Sequence, residues 1–525
     1  MVKKISVLAL AGLLALPALA SAGAGGAAGT ADVQAQVDAL TKQLNALKAQ
    51  MADIKTSQDQ KFEAFDAKSE KWDMASRIQL SGDFRARGDY YSADTKAYNP
   101  LFVAIDPLAG TKTYNPGMFV PANMVTMPAA SYKNNSDFTN RFRLDMRAKA
   151  LEDVEFKGRL AMYKTWGHQD NPTALPGMTG LDANWDGNAT RQPNDSILRV
   201  DRAFVNWNNI GGVPVWFSIG RRPTTDGPPN QLRMNSDERM ATPTAVMDYP
   251  FDGVSVGYAY NNLFGMQDAP GRVRFCWGRG FESGLNQTDV GSDQGINDTD
   301  FAGVSWDIYK KGNRFAYLQS FVAMDLMNYP SFSDAMTNAF YDTAMGGRKN
   351  IGNLYHTSGV YSDKYQNLNY FGMLGWSRTD PNDMGMMNDF SGVANTKSEN
   401  GYVMHVGARY DIQDSPFKLG AEYNHGSKYW VAMTPGHDDL YASKLAARGN
   451  VYEVYGIYDI PGGEAVSKYG KAFIRLGYQH YDYNYTGSGD WNMMPVKMDD
   501  VATTFSMTPP VESADQVYMT FEAAF

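Results

Sequence analysis

Basic residues at alternate positions are the feature of this sequence with the clearest chemical potential. They occur in residues 83–87, 141–149 and 157–159. If these segments are β-strands, alternate side chains lie on one face. Guanidinium groups bind carboxylates and phosphates, and fixed cations in a pore raise the local anion concentration. The predicted pore-lining residues are eight basic residues, here called the arginine ladder (Arg85, Arg87, Arg141, Arg143, Arg147, Lys149, Lys157 and Arg159), together with the acidic Asp83 and Asp145.

A second interpretation of the arginine ladder is structural. Its members would then pair with Asp83, Asp145 and Glu155 and stabilise the wall that carries them. The chain as a whole is acidic, with 48 Lys and Arg residues against 57 Asp and Glu residues. That balance argues against a nucleic-acid partner and against simple anion selectivity. Both interpretations remain open at this stage.

Other residue patterns give weaker signals of chemistry. The segment 182–187 matches the opening of a calcium loop, with Asp182, Asn184 and Asp186 as candidate ligands, but Pro193 stands where a bidentate Glu would fall. An ordinary Asx-rich turn is favoured, and no other cofactor is expected. The single Cys276 allows neither an internal disulfide nor covalent haem attachment. Hydrolase motifs are missing from the sequence, so we do not expect an enzyme.

Residues 1–22 predict a cleaved signal peptide. Lys3 and Lys4 precede an apolar run over residues 5–16, and the small residues 20–22 follow. The run is too short to span a bilayer, so cleavage is favoured over anchorage. Removal of the two lysines would change the net charge from −9 to −11.

Residues 23–76 predict a periplasmic coiled-coil stalk and linker. Apolar residues recur there at alternating spacings of four and three, which is typical of a coiled-coil seam about three heptads long. A single helix lying against the following domain is the alternative, because three heptads are marginal for a free-standing coiled coil. We expect a homotrimer, although the seam does not choose between dimer and trimer. The seam residues are Val33, Val37, Leu40, Leu44, Leu47, Met51 and Ile54.

From residue 77 to 525 the apolar period becomes two. Charged residues at every second position are incompatible with a dry core on that face, which favours a water-filled barrel. The predicted fold is an all-β transmembrane antiparallel β-barrel of about sixteen strands, with fourteen or eighteen as alternatives. An even count returns both ends of the barrel to one side. The strands are predicted near residues 78, 142, 154, 197, 213, 252, 272, 301, 314, 351, 368, 401, 417, 450, 471 and 515.

Connection lengths alternate along the predicted barrel. Short links near residues 152, 210, 312 and 413 indicate periplasmic turns. Long links indicate extracellular loops, because outer-membrane barrels have short turns on one side and long loops on the other. The predicted long links are 92–138, 167–195, 222–251, 325–350, 379–400, 431–449 and 483–512.

The last ten residues predict a strand with one lipid-facing side. Val517, Met519, Phe521 and Phe525 share one face, and polar residues occupy the other. An alternating strand that ends on an aromatic residue resembles the signal that outer-membrane barrels present to the barrel assembly machinery. We therefore expect that machinery, outer-membrane lipid and lipopolysaccharide as partners.

Three short segments carry a resemblance to a known family. The segments are Ser81–Arg87, Tyr249–Gly253 and Glu422–Ser427, and the terminal Phe525 accompanies them. With the leader, the coiled coil and the barrel pattern, the chain resembles outer-membrane channel porins of metal-reducing deltaproteobacteria. The resemblance implies a passive channel and no particular solute.

A constriction is expected where the third long link enters the lumen. In general porins the third extracellular loop folds inward, and residues 222–251 occupy that place here. Asp226, Asp237 and Glu238 would face the arginine ladder, and the resulting transverse field would favour polar solutes. The alternative is that this link lies outside the barrel.

The sequence therefore predicts an outer-membrane porin of a Gram-negative cell, with its stalk in the periplasm. It would pass small hydrophilic solutes or ions by diffusion. The alternative function is a structural or tethering barrel, or the partner barrel of an extracellular electron-transfer complex. Sixteen strands are too few to enclose a whole cytochrome, which disfavours the last role.

Overall fold

A computed structural model describes parts of the helical segment 35–49 and most of residues 77–525. Positions 36, 40 and 47 of the first segment lie outside the described residues. So do the leader, most of the predicted seam and the candidate calcium ligands. In the second segment the undescribed residues are 101–125, 168–189, 194, 223–226, 237–243, 250, 264, 267, 284–295, 329–346, 390–392, 435, 437, 463–469 and 507–508.

The chain divides into two units, Met1–Ser76 and Arg77–Phe525. In the first unit the described residues between 35 and 49 are helical. The seam residues Val37 and Leu44 are 48% and 54% exposed there. Within the described parts of the chain, no helix has the length and apolar character needed to cross a membrane.

The second unit is a closed antiparallel barrel of sixteen strands, which confirms the predicted fold class and strand count. A separate two-residue parallel pair joins Asn99–Pro100 to Phe505–Ser506. The barrel strands are β1 (Ile78–Thr95), β2 (Ala130–Lys149), β3 (Val154–Thr165), β4 (Arg199–Trp207), β5 (Val215–Arg222), β6 (Phe251–Tyr260), β7 (Gly271–Phe281), β8 (Thr299–Lys311), β9 (Arg314–Met327), β10 (Asn350–Tyr365), β11 (Leu368–Pro381), β12 (Asn400–Asp411), β13 (Phe417–Gly426), β14 (Gly449–Ile460), β15 (Lys471–Tyr483) and β16 (Val511–Ala524).

The barrel closes between its first and last strands. Asp83 is opposite Ala524 in the β1–β16 register. Two backbone hydrogen bonds of 3.0 Å join Gly82 and Phe525, one in each direction. A Cβ atom on Gly82 would lie 2.8 Å from the Phe525 ring, so the ring packs where only glycine leaves room. The terminal residue therefore takes part in closing the barrel.

Alternation along the strands separates an apolar outer face from a polar inner face. Every one of the sixteen strands carries at least one exposed large apolar side chain, such as Leu80 at 58%, Leu374 at 66% and Met519 at 59%. In β16 the residues between these positions, including Gln516 and Thr520, are fully buried. Soluble monomers rarely expose so continuous an apolar surface.

Long connections alternate with short ones around the whole barrel, as predicted. The predicted connections were wrong in two respects. The first long connection spans residues 96–129 rather than 92–138, because β1 and β2 reach 18 and 20 residues. An eighth long connection, residues 282–298, was not predicted.

Several long connections fold into the barrel and form apolar clusters against its inner wall. Trp430 of the β13–β14 connection is fully buried and donates to the Leu445 carbonyl at 2.7 Å. A Cβ on Gly401 would lie 2.4 Å from the Trp430 Cα, so the strand needs glycine at this approach. Other clusters include Tyr441 with Tyr481, and Met433 with Phe251. The described interior is therefore packed rather than uniformly open.

Candidate functional site

Strands β1, β2 and β3 position the arginine ladder on two levels of the barrel wall. Five members are buried on the inner face, with at most 6% of their surface exposed. Towards the β2–β3 turn, Arg147 and Lys149 are exposed and Lys157 is half-buried. The buried members are Arg85, Arg87, Arg141, Arg143 and Arg159.

Some members of the arginine ladder form ion pairs with acidic residues of the same barrel wall. Asp83 accepts from Arg143 at 2.7 Å and from Arg141 at 3.2 Å. Asp145 pairs with Arg159 at 2.8 Å. These are contacts that the structural interpretation of the ladder predicts.

Closer to the turn, Glu155 is 2.6 Å from Arg147 and 2.7 Å from Lys157. Each of the three predicted wall acids therefore has a basic partner on the ladder. The guanidinium groups that remain deeper in the barrel face a different acid.

That acid is Asp438, which enters the barrel from the β13–β14 connection. Its carboxylate pairs with Arg85 and lies 2.8 Å from Arg475, 3.4 Å from Arg141 and 3.8 Å from Arg87. The Asp438 backbone carbonyl also accepts from Arg87 at 2.9 Å. One loop carboxylate thus contacts guanidinium groups from three strands.

The groups around this contact form what we call the Asp438 cluster. It contains five guanidinium groups and four carboxylates, so its formal charge is one positive unit. Apart from Asp438, all of them lie on β1, β2, β15 or β16. The members are Arg85, Arg87, Arg141, Arg143 and Arg475 with Asp83, Asp89, Asp438 and Glu522.

A second buried network, centred on Arg233, joins two inward connections to the wall. Arg233 of the β5–β6 connection lies 2.5 Å from Asp439 and 3.1 Å from Glu453 of β14. Lys444 of the β13–β14 connection pairs with Glu422 and, at 2.5 Å, with Glu453. Both connections are therefore held at one shared carboxylate of the wall, that of Glu453.

Electrostatics favour the charged forms of the two loop cations. Burial alone would lower the pKa of Arg233, but Asp439 and Glu453 more than offset it and hold the pKa well above its ordinary value. Burial and Arg233 likewise lower the pKa of Lys444, and the carboxylates Glu422 and Glu453 reverse the shift. Both side chains remain cationic at neutral pH.

The two inward connections also bond directly to each other. The Asp248 N–H donates to the Met433 carbonyl at 2.7 Å, and the Met433 N–H donates to the Val246 carbonyl at 2.8 Å. Side chains of Ala245, Val246, Trp430 and Leu445 belong to one apolar cluster. Displacement of one connection therefore disturbs the other.

The predicted constriction acids Asp226, Asp237 and Glu238 lie outside the described residues. The described parts of the β5–β6 connection, residues 227–236 and 244–249, are mostly buried and enter the barrel. They bring Asp248 to 4.0 Å from Arg191. This connection thus supplies an inward acid, although not one that the sequence singled out.

A small polar cavity lies between the ladder and these connections. It has a volume of about 20 Å³ and is lined by ten residues that include Arg141, Arg143, Asp201, Asp248 and Asp438. A space of this size holds about one water molecule. In its described part, the ladder side of the barrel is therefore narrow and closely balanced in charge.

The sequence pattern did not identify Asp438, Asp439, Lys444 or Arg233 as site residues. They lie in long connections, where strand alternation gives no information. One signal was present, since the β13–β14 connection contains Trp430 and other apolar residues that are unusual in an exposed loop. Such composition indicates a buried segment.

The other candidate residues are placed as follows. Val517, Met519, Phe521 and Phe525 lie on the outer face of the last strand and its end, with 41% to 59% exposure. No group of three or more His, Cys, Asp or Glu side chains suited to a metal ion occurs among the described residues.

Comparison with solved structures gives distant likenesses. Salmonella typhi OmpF in complex with daunomycin is 9% identical over 85% of this chain and 97% of its own, with a TM-score of 0.37. Pseudomonas putida OprB at high pH is 12% identical over 88% and 97%, with a TM-score of 0.40. Vibrio cholerae OmpT, an outer membrane protein folded in vitro, is 10% identical over 85% and 97%, with a TM-score of 0.37. Similarities this low carry no information about function.

Comparison of the sequence with known proteins identifies one matching family. No curated protein matches the chain. A family model described as "Protein of unknown function (DUF3373)" matches residues 131–525, which is well over half of the chain. The chain belongs to this family.

Proposed function

We propose that this protein is an outer-membrane porin that passes small hydrophilic solutes or ions by passive diffusion. The observation that carries the proposal is a closed sixteen-stranded barrel with apolar side chains outside and ionised side chains inside. Closure satisfies every strand edge, which is the condition for β-structure in a bilayer. No catalytic step and no cofactor belongs to this function.

The proposed constriction lies beside the Asp438 cluster and the packed inward connections, because the cavity between them and the ladder holds only about one water molecule. In the Asp438 cluster, five guanidinium groups oppose four carboxylates. A small positive excess in a narrow site favours anions weakly, while the paired charges create a local field across the passage. Polar solutes would therefore pass more readily than apolar ones.

Single-channel recording in a planar bilayer tests this function. Detergent-purified protein should give stepwise openings, and a salt gradient should give a weakly anion-favouring reversal potential. A cation-favouring potential would retain the channel and remove the selective role of the ladder. Stable insertion without conductance would reject the channel.

A structural or tethering barrel is the second candidate function, and a specific observation favours it. Described connections fill part of the interior with apolar clusters, including Trp430, Val431 and Met433, all fully buried. A barrel of this kind could be plugged. It would then serve as an anchor or as the partner barrel of an electron-transfer complex.

The location and partners are part of the same proposal. The barrel would lie in the outer membrane of a Gram-negative cell, in contact with lipid and lipopolysaccharide, after insertion by the barrel assembly machinery. The terminal residues Val517 to Phe525 would supply the assembly signal. The resemblance to channel porins of metal-reducing deltaproteobacteria supports this setting.

We further propose that the leader is cleaved and that the helical segment forms a trimeric periplasmic stalk. The exposed Val37 and Leu44 support self-association. Chemical crosslinking of purified protein should give a trimer band. If crosslinked protein migrated only as a monomer on a denaturing gel, the trimer would be rejected.

A further inference from the structure

An apolar recess lies on the inner wall of strands β6 to β9, away from the arginine ladder. Its volume is about 100 Å³. Inward positions of the wall carry Gly278 and Gly303 there, and the side chains of Phe251 and Phe321 pack close beside them. A Cβ on Gly303 would lie 2.5 Å from the Ser320 carbonyl oxygen, and only glycine fits that position.

The lining of the recess combines aromatic surface with positive charge. Phe251, Phe301 and Phe321 supply three aromatic rings to its apolar lining. Two guanidinium groups, from Arg222 and Arg274, also line it, and none of the sixteen lining residues that the structure describes is Asp or Glu. The lining therefore has a positive charge beside an apolar surface.

Arg222 is unusual among the inward arginines. Its Nη1 atom is buried without a hydrogen-bond partner, and it makes no ion pair with any residue that the structure describes. Its described contact is with the Phe204 ring, at 5.7 Å from the ring centre. By contrast, the neighbouring Arg272 pairs with Asp307 and Arg279 with Asp300. A buried unpaired donor on a cation is costly unless a ligand satisfies it.

We propose that this recess binds a small monocarboxylate with an apolar body. The carboxylate would accept hydrogen bonds from Arg222, and the apolar body would contact Phe251 and Phe301. An apolar cavity of about 150 Å³ holds one benzene ring, and the recess is smaller, so its apolar body is limited to a short branched alkyl group such as that of isobutyrate. The inference rests on the proposed function, because it names a solute class for the channel.

Cys276 provides a direct reporter of occupancy. It is the only cysteine in the chain, it lines the recess, and it is half-buried. In detergent-purified protein, the anionic reagent (2-sulfonatoethyl) methanethiosulfonate should modify Cys276 about tenfold faster than the cationic (2-trimethylammonioethyl) analogue. Excess isobutyrate should slow the reaction several-fold, and the neutral isostere isobutyramide should not.

Matched variants connect the effect to Arg222. In Arg222→Gln the charge preference and the protection by isobutyrate should both disappear, and Arg222→Lys should retain the charge preference. Arg221→Gln is the control, since Arg221 precedes Arg222 in the strand and lies 3.4 Å from the exposed Asp252. Heat-modifiable migration shows that each variant is folded.

Three results overturn the recess proposal. They are equal rates for the two reagents in the unmodified protein, no protection by isobutyrate, and no reaction before denaturation by detergent and heat. None of these results requires a variant to fold. If the carboxylate protected Cys276 from modification but the protein did not conduct, the channel would be rejected and the recess kept. If the protein conducted but Cys276 was not protected, only the recess would be rejected.

Discussion

Removal of the Asp438 charge is the most direct test of how the inward connections are held. In Asp438→Asn the side chain keeps its size but loses its charge. The formal charge of the Asp438 cluster rises from one to two positive units, because five guanidinium groups then face three carboxylates. Arg85, Arg141 and Arg475 each lose an ion-pair partner in a buried setting.

The magnitude follows from the burial of these groups. Removing one partner of a buried ion pair costs about 3–5 kcal/mol, because the remaining charge is left uncompensated. Each 1.4 kcal/mol is a factor of about ten, so the displaced population of the β13–β14 connection should rise by roughly two to three and a half orders of magnitude. We expect a stronger anion preference and more frequent fluctuations of the open current.

The assay compares reversal potential and protease sensitivity of the β13–β14 connection in the same preparations. Asp499→Asn is the matched control, since Asp499 is exposed and pairs with Lys497 at 2.7 Å. Exposed pairs contribute about 0–1 kcal/mol, so this variant should behave like the unmodified protein. If Asp438→Asn and Asp499→Asn gave the same potential and the same cleavage rate, the role assigned to the Asp438 cluster would be wrong.

Three further predictions concern the outer face, a buried loop acid and barrel closure. Leu374 is 66% exposed on the outer face of β11, so Leu374→Arg places a charge there and should cost about 2–4 kcal/mol of stability in a bilayer. Urea titration of the folded band on a gel measures this change, and unchanged stability would contradict a lipid-facing position. Burial raises the pKa of Asp490, so its contribution to stability is present below the unfolded pKa and is lost as pH rises through the folded pKa. Asp490→Asn, which can still accept from the Asn492 N–H, should therefore raise the melting temperature at pH 7 and leave it unchanged at pH 3; a gain at both pH values would exclude this cause. Deletion of Phe525 removes its two backbone hydrogen bonds to Gly82 and should slow formation of the heat-modifiable band more than Phe525→Leu does; equal rates would show that only the ring matters.

The barrel was predictable because its signal is local. Alternation in a segment such as Phe142 to Lys149 depends only on the strand itself and on the contrast between lipid and interior. Applying the same alternation of apolar and polar residues along the chain gives the sixteen strands. Strand ends were less accurate, since β1 and β2 extend past the membrane-length segment into residues whose polar character resembles a loop.

Only the site residues that lie on the barrel strands could be predicted from the sequence. Arg85, Arg87 and Arg141 could be assigned to an inner face from alternation alone. Their partner Asp438 is 351 residues from Arg87 and 297 from Arg141 in the chain, and no periodic pattern relates such distant positions. The path of a long connection depends on tertiary packing, so the acid opposite the ladder came from the β13–β14 connection.

The inward connections combine two kinds of interaction with different roles. Buried ion pairs such as those of Asp438 add little net stability, because desolvation offsets most of their attraction, but they define where the connection lies. The apolar clusters around Trp430 and Met433 supply the favourable burial. Opening the barrel by withdrawing these connections would lose both contributions at once, and the Met433 backbone bonds would couple the two withdrawals. If the barrel conducts, its passage therefore runs beside the packed connections, and the unmodified channel should show one steady conductance level rather than large gating steps.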